Sequence, residues 1–251
     1  MSGDEFTTYF PDTGPASLDD DPATAIDDAV MAELRVLAAK YPLPRSALMP
    51  MLHLVQSVDG RVSAAGVRAC ADILGITPAQ VAGVATFYTM YRRRAGGKHH
   101  IGVCSTTLCA VMGGDAIFET VADKLGLEGE GTTADGMFTL ERVECNAACD
   151  FAPVMMVNWE FMDNMTPELA TKILDDLAAG REVHSTRGAT ITSWREAERV
   201  LAGFPDGRAD EGPSAGEPSL LGLRLARAAG AAPAEKGADT GKADKGKEGA
   251  K

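Results

Sequence analysis

Cys104-Ser105-Thr106-Thr107-Leu108-Cys109 and, 35 residues further on, Cys145-Asn146-Ala147-Ala148-Cys149 hold four of the five cysteines in the chain. The first clip reads C-x4-C and the second C-x3-C. Ile101 and Val103 alternate into Cys104, and Phe138, Leu140 and Val143 lead into Cys145, so each clip opens where a strand closes. That pattern predicts a sheet with both cysteine pairs converging at one edge.

Working outward, the residues between the clips carry Ile117, Val121 and Leu125 at helical spacing, predicting a helix over 112–125 and then a glycine-bearing loop over 126–136. After the second clip come a strand over 153–157 and a short hairpin partner over 159–162. Thr166-Pro167-Glu168 opens a helix with Leu169, Ile173, Leu174 and Leu177, stopped by Gly180. The order strand–helix–strand–strand–strand–helix predicts one mixed sheet with helices against it, an α/β (α+β) layer structure over 98–181.

Upstream, residues 24–97 read as a small helical bundle. Ile26, Val30, Leu34 and Leu37 mark one helix, ended by Tyr41-Pro42. Leu48, Met51, Leu52 and Val55 mark a second. Ser63 caps a third, with Val67, Cys70 and Leu74 inward. Thr77-Pro78-Ala79-Gln80 is a capping box opening a fourth, with Val81, Val84, Phe87, Tyr88 and Tyr91. Residues 1–23 are expected to be an acidic flexible lead-in. Ser193-Trp194-Arg195-Glu196 is another capping box, in a short helical extension over 182–204. From 205 to 251, Gly and Ala make up 20 of 47 residues, too little apolar surface to offset ordering entropy, so a disordered tail is expected. Leu220, Leu221, Leu223 and Leu225 stand out within it, as a docking segment or as a helix with no role.

The net charge is −12, and residues 1–30 supply −8 of it, with eight acids and no Lys or Arg. Such a balance gives no reason to expect nucleic-acid binding. The chain shows no basic start followed by an apolar run, and no stretch of ~18 apolar residues for a bilayer. A cytosolic protein without membrane insertion is expected, in which paired cysteines read as metal ligands or redox groups.

Three plainer uses of the cysteines compete. Structural zinc takes pairs two to four apart, and C-x4-C beside C-x3-C is atypical for it. Two disulfides are improbable in a reducing compartment. Thiol–disulfide exchange normally uses C-x-x-C, which is absent. The expected occupant is one [2Fe–2S] cluster, which needs soft anionic ligands on tight turns. Ser105, Thr106, Thr107, Ala147 and Ala148 are small enough for backbone N–H groups to approach the sulfurs. Glu144 and Asp150 flank the second clip and predict a low reduction potential. With no G-x-G-x-x-G after a strand and no P-loop, a one-electron carrier of this kind needs a protein partner that supplies the nicotinamide or flavin site.

The two clips, Ala152-Pro153 after the second, Leu52-His53-Leu54-Val55-Gln56 and Val84-Ala85-Thr86-Phe87-Tyr88-Thr89-Met90 together resemble the E-type subunits of bacterial NADH-quinone oxidoreductase, respiratory complex I. The match covers about residues 25–180. The resemblance implies a thioredoxin-like ferredoxin domain behind an N-terminal helical bundle. It implies that Cys104, Cys109, Cys145 and Cys149 ligate the cluster, close to the FMN of a partner NADH-binding subunit that alone carries FMN and NAD. It further implies a large iron–sulfur subunit as second partner, a place in the peripheral arm on the cytoplasmic face of the membrane, and no catalysis by this chain alone. Related modules serve NAD-linked formate dehydrogenases and NAD-reducing hydrogenases, and a zinc-stabilised scaffold is the reading from another class. Two departures, Asn146-Ala147 where Leu-Gly is common and Leu108 where Pro often stands, bear on the potential.

Outside the clips, Cys70 is expected to be a core thiol and His53 a satisfied structural group. His99-His100 are weak candidates for an electron or proton path. Arg92-Arg93-Arg94 reads as a solvated helix end before it reads as a contact for an acidic partner. Phe87, Tyr88 and Tyr91 are expected in the core.

Overall fold

The helical spacing of the first hundred residues is realised as α1 (Asp28–Ala39), α2 (Leu48–Asp59), α3 (Ala64–Leu74) and α4 (Pro78–Phe87) in the computed structural model, which describes residues 24–212 and 217–230. The expected lead-in over 1–23 lies outside the described residues. Capping follows side-chain chemistry: Asp27 accepts from Val30 N–H, Ser63 from Gly66 N–H, and Thr77 and Gln80 form the reciprocal box. Leu34, Leu37, Met51, Leu52, Leu54, Val55, Cys70 and Val81 are buried together. Each fully buried aliphatic side chain of this size contributes about 1.5–3 kcal/mol.

Where the period changes to two, the sheet begins. β1 (His99–Cys104), β2 (Gly131–Thr132), β3 (Phe138–Val143), β4 (Met155–Val157) and β5 (Glu160–Met162) lie in the order β2-β3-β1-β4-β5. β1 and β3 are parallel, and the other neighbours are antiparallel. α6 (Gly114–Leu125) and α7 (Pro167–Ala178) bury Ile117, Phe118, Val121, Leu174 and Leu177 with Ile101, Leu140, Met155 and Val157 of the sheet. The expected mixed sheet with helices against it is the observed one.

Several expectations are corrected by tertiary context. Residues 107–111 form a short helix, α5 (Thr107–Val111), inside the first clip, where only a turn was expected. Two residues of the expected glycine loop pair with β3 as β2. Of the aromatic set, Tyr91 is buried, with its hydroxyl donating to Met49 O at 3.0 Å, but Phe87 is 77% exposed and Tyr88 38%. α4 ends at Phe87, which faces outward as its last residue, and the extended backbone of Tyr88 takes that ring off the helical stripe. Arg92 is no solvated helix end. Its guanidinium bonds Glu141 and lies 2.6 Å from His100 Nε2, because residue 92 folds back over the sheet.

α8 (Trp194–Leu201) carries the Ser193–Glu196 capping box and packs on α2, with Trp194 and Glu198 fully buried. After it, residues 205–212 turn back, and Thr190 N–H donates to Glu211 Oε2 at 2.8 Å. The chain divides at Pro213, and the short C-terminal unit contains α9 (Glu217–Ala228). The leucine-bearing stretch of the tail is therefore helical, with Leu221, Leu223 and Leu225 exposed within that unit. Residues 213–216 and 231–251 lie outside the described residues. Among the described residues no single helix is long and apolar enough to cross a membrane.

Candidate metal centre

The register of the two parallel strands builds the site. Cys104, the last residue of β1, pairs with Val143, the last residue of β3. Parallel strands end at the same sheet edge, so the chain leaving β3 reaches Cys145 beside the first clip. Cys104 N–H donates to Val154 O at 3.1 Å and Ser105 N–H to Val143 O at 3.3 Å, which tie the first clip to both neighbouring segments. Within the second clip, Ala147 adopts φ +55°, a left-handed conformation, and its N–H donates to Cys145 Sγ, 3.4 Å away. Cys145 Sγ and Cys149 Sγ stand 3.6 Å apart. All five cysteines are free thiols.

The two pairs differ in setting. Cys104 and Cys109 are buried and pack with Ala148 and Val154, backed by Val143, Phe151, Ala152 and Phe161. Cys145 and Cys149 are exposed. Burial pushes the Cys104 thiol up, but the Thr106 hydroxyl and N–H, with the Asn146 N–H, outweigh it and hold the thiol below its ordinary value. Cys109 is pushed up to about 11, by burial first and by Cys104 beside it, against a bond from the Val154 backbone. Cys149 is raised by its contact with Cys145.

This donor set suits a two-iron centre. Cys145 Sγ and Cys149 Sγ form one close pair, Cys104 lies beside Cys109, and the backbone N–H groups of Thr106, Asn146 and Ala147 point at these sulfurs, as anionic thiolates on iron and sulfide demand.

The thioredoxin-like [2Fe–2S] ferredoxin family model matches residues 34–178. The chain belongs to this family. Among its relatives, the E-type subunit of the Mycobacterium tuberculosis NADH-quinone oxidoreductase is 53% identical over 203 residues, 79% of this chain and 81% of that one. The E-type subunit of the Rickettsia bellii oxidoreductase is 39% identical over 141 residues, covering 55% and 84%. Subunit 2 of the Thermus thermophilus oxidoreductase is 35% identical over 148 residues, covering 58% and 82%. The cofactor of the family is a [2Fe–2S] cluster, and α8 lies beyond the part that the family model matches.

Every cysteine predicted for the site is at the converging edge, and Cys70 is buried in the bundle as expected, its thiol pushed up to about 12 by burial. The two histidines of β1 do not reach the sulfurs. Asn158 Nδ2 lies 3.1 Å from His99 Nδ1, and His100 Nε2 is 2.9 Å from Glu141 Oε2. Burial, then Lys98, lowers His99 to about 4, and burial likewise lowers His100. Sequence reasoning did not single out Gly114. A Cβ there would sit 2.6 Å from Cys104 O and 2.9 Å from Cys109 O, so the start of α6 rests directly on the backbone of the first clip. The Gly113-Gly114 doublet just after the clip was the available signal.

Proposed function

We propose that Cys104, Cys109, Cys145 and Cys149 hold the [2Fe–2S] cluster and that the chain is an electron-transfer subunit of a proton-translocating NADH-quinone oxidoreductase. The observation that carries this reading is the register of β1 and β3, which brings two thiol pairs to one sheet edge in a chain 53% identical to an E-type subunit of such an enzyme. When bound, the cluster takes up and returns one electron at a time. The chain's own residues ligate it, exclude water on the buried side through Val143, Val154 and Phe161, and leave the Cys145–Cys149 side facing outward.

The partners in this reading are an FMN- and NADH-binding subunit, whose flavin exchanges electrons across that outward side, and the large iron–sulfur subunit. The place of action is the cytoplasmic face of the membrane, in the peripheral arm. Residues 24–97 serve as a helical bundle, 98–181 as the ferredoxin domain and 182–204 as its extension.

Affinity purification of the full-length chain from its host tests the partner assignment. Co-purification of a flavin-bearing, NADH-oxidising subunit together with quinone reductase activity is expected. Recovery with a formate dehydrogenase or a hydrogenase in its place would overturn it.

A further inference from the structure

Thr106 stands at the N-cap of α5 with extended backbone, φ −77° and ψ 157°. A threonine in that position ordinarily accepts a backbone N–H of the first turn through its hydroxyl. Asp27, Ser63, Thr77, Thr166 and Ser193 all do so at their helices. Thr106 makes no capping bond. Its Oγ1 lies instead 3.1 Å from Cys104 Sγ. A thiolate has no proton to give, so when Cys104 ligates iron the hydroxyl is the donor and the sulfur the acceptor.

We propose that Thr106 is a positioning residue that sets the reduction potential of the cluster, acting through Cys104. The proposal rests on the assignment of Cys104 as a ligand. With four thiolates the oxidised centre carries −2 and the one-electron-reduced centre −3. A hydrogen bond to sulfur stabilises the more negative state more strongly, so the hydroxyl raises the midpoint, and its proton stays on the threonine oxygen throughout. The backbone N–H groups of Thr106 and Asn146 also reach this sulfur, and substitution of the side chain leaves them in place, while Cys109, its other neighbour, has no proton to give once it is a ligand. The hydroxyl is thus a separable contribution. It is also one that a helix cap has given up, which makes the sulfur contact the reason for a threonine here.

The test is an EPR-monitored redox titration with dithionite on the full chain, comparing wild type with T106V, T106A and T106S. T106V and T106A are expected to disfavour reduction by about tenfold, a downward shift of about 59 mV for a one-electron couple, and T106S is expected to keep the wild-type midpoint. Unchanged midpoints in T106V and T106A would overturn the proposal, as would a T106S shift equal to that of T106V. Iron loss from both T106V and T106A with full loading in T106S would also overturn it, in favour of a role in assembly. A wild-type chain with no iron-based signal would instead defeat the ligand assignment, an outcome separate from these.

Discussion

His53 and Glu198, 145 residues apart, meet at 2.6 Å in the interior, with the Glu198 side chain fully buried. The carboxylate also accepts from Gln56 Nε2 at 2.8 Å and from Trp159 Nε1 at 2.9 Å. Gln56 Oε1 in turn accepts from Arg92 N–H at 2.6 Å. One side chain of α8 therefore satisfies donors from α2 and from the β4–β5 turn, joining the bundle to the sheet. A buried carboxylate of this kind is tolerated only while its partners are in place.

Replacing Glu198 with alanine removes the partner of His53 Nδ1 and Trp159 Nε1 and leaves Gln56 Nε2 with Met90 O alone, which costs about 3–5 kcal/mol. For a domain of this size that amounts to a fall of roughly 6–20 °C in Tm. Thermal unfolding by circular dichroism measures it, and an E198A variant melting with wild type would show that α8 is not the joint described.

Stability also depends on pH through β1. His99 is held near 4 against an ordinary 6.5. Between those values the unfolded chain binds a proton that the native state refuses, so stability is full above about 6.5 and falls as pH drops toward 4. His100, lowered by burial, acts in the same direction. Tm is expected to be lower at pH 5 than at pH 7, and H99Q should flatten the slope. A wild-type Tm that is flat across this range would contradict the buried neutral histidines.

The start of α6 admits no side chain at Gly114. G114A forces the backbone carbonyls of Cys104 and Cys109 to move, so iron per chain should fall sharply, read by iron analysis and visible absorbance. G83A is the control. Gly83 lies in α4 with open space around it, and alanine there should stabilise by roughly 0.5–1 kcal/mol with iron content unchanged.

Glu144 and Asp150 flank the exposed pair of thiols, and both are themselves exposed. Their charges disfavour the added electron, so the double amide variant E144Q/D150N should have a raised midpoint. Solvent keeps the rise below about 59 mV, one tenfold step, and added salt should shrink it. An unchanged midpoint at low salt would remove these acids from the account.

Much of this was legible in the sequence, for a physical reason. Period two running into Cys104 and Cys145 is a local signal, and parallel pairing of those strands brings the clips together. The capping boxes at Thr77 and Ser193 are likewise local chemistry, and both formed. What escaped was set by distant partners. The burial of Glu198 depends on His53, and the ion pair of Arg92 on Glu141. The exposure of Tyr88 follows from where α4 stops. α5 is too short to show a period, and β2 owes its existence to hydrogen bonds with β3, not to its own two residues.

The most direct test of the central claim is low-temperature EPR of the purified full chain before and after dithionite, with iron and zinc measured on the same anaerobically prepared sample. Four thiolates on a [2Fe–2S] cluster predict two irons per chain and a rhombic S = 1/2 signal that appears only on reduction. Stoichiometric zinc with no signal in either state would contradict the account.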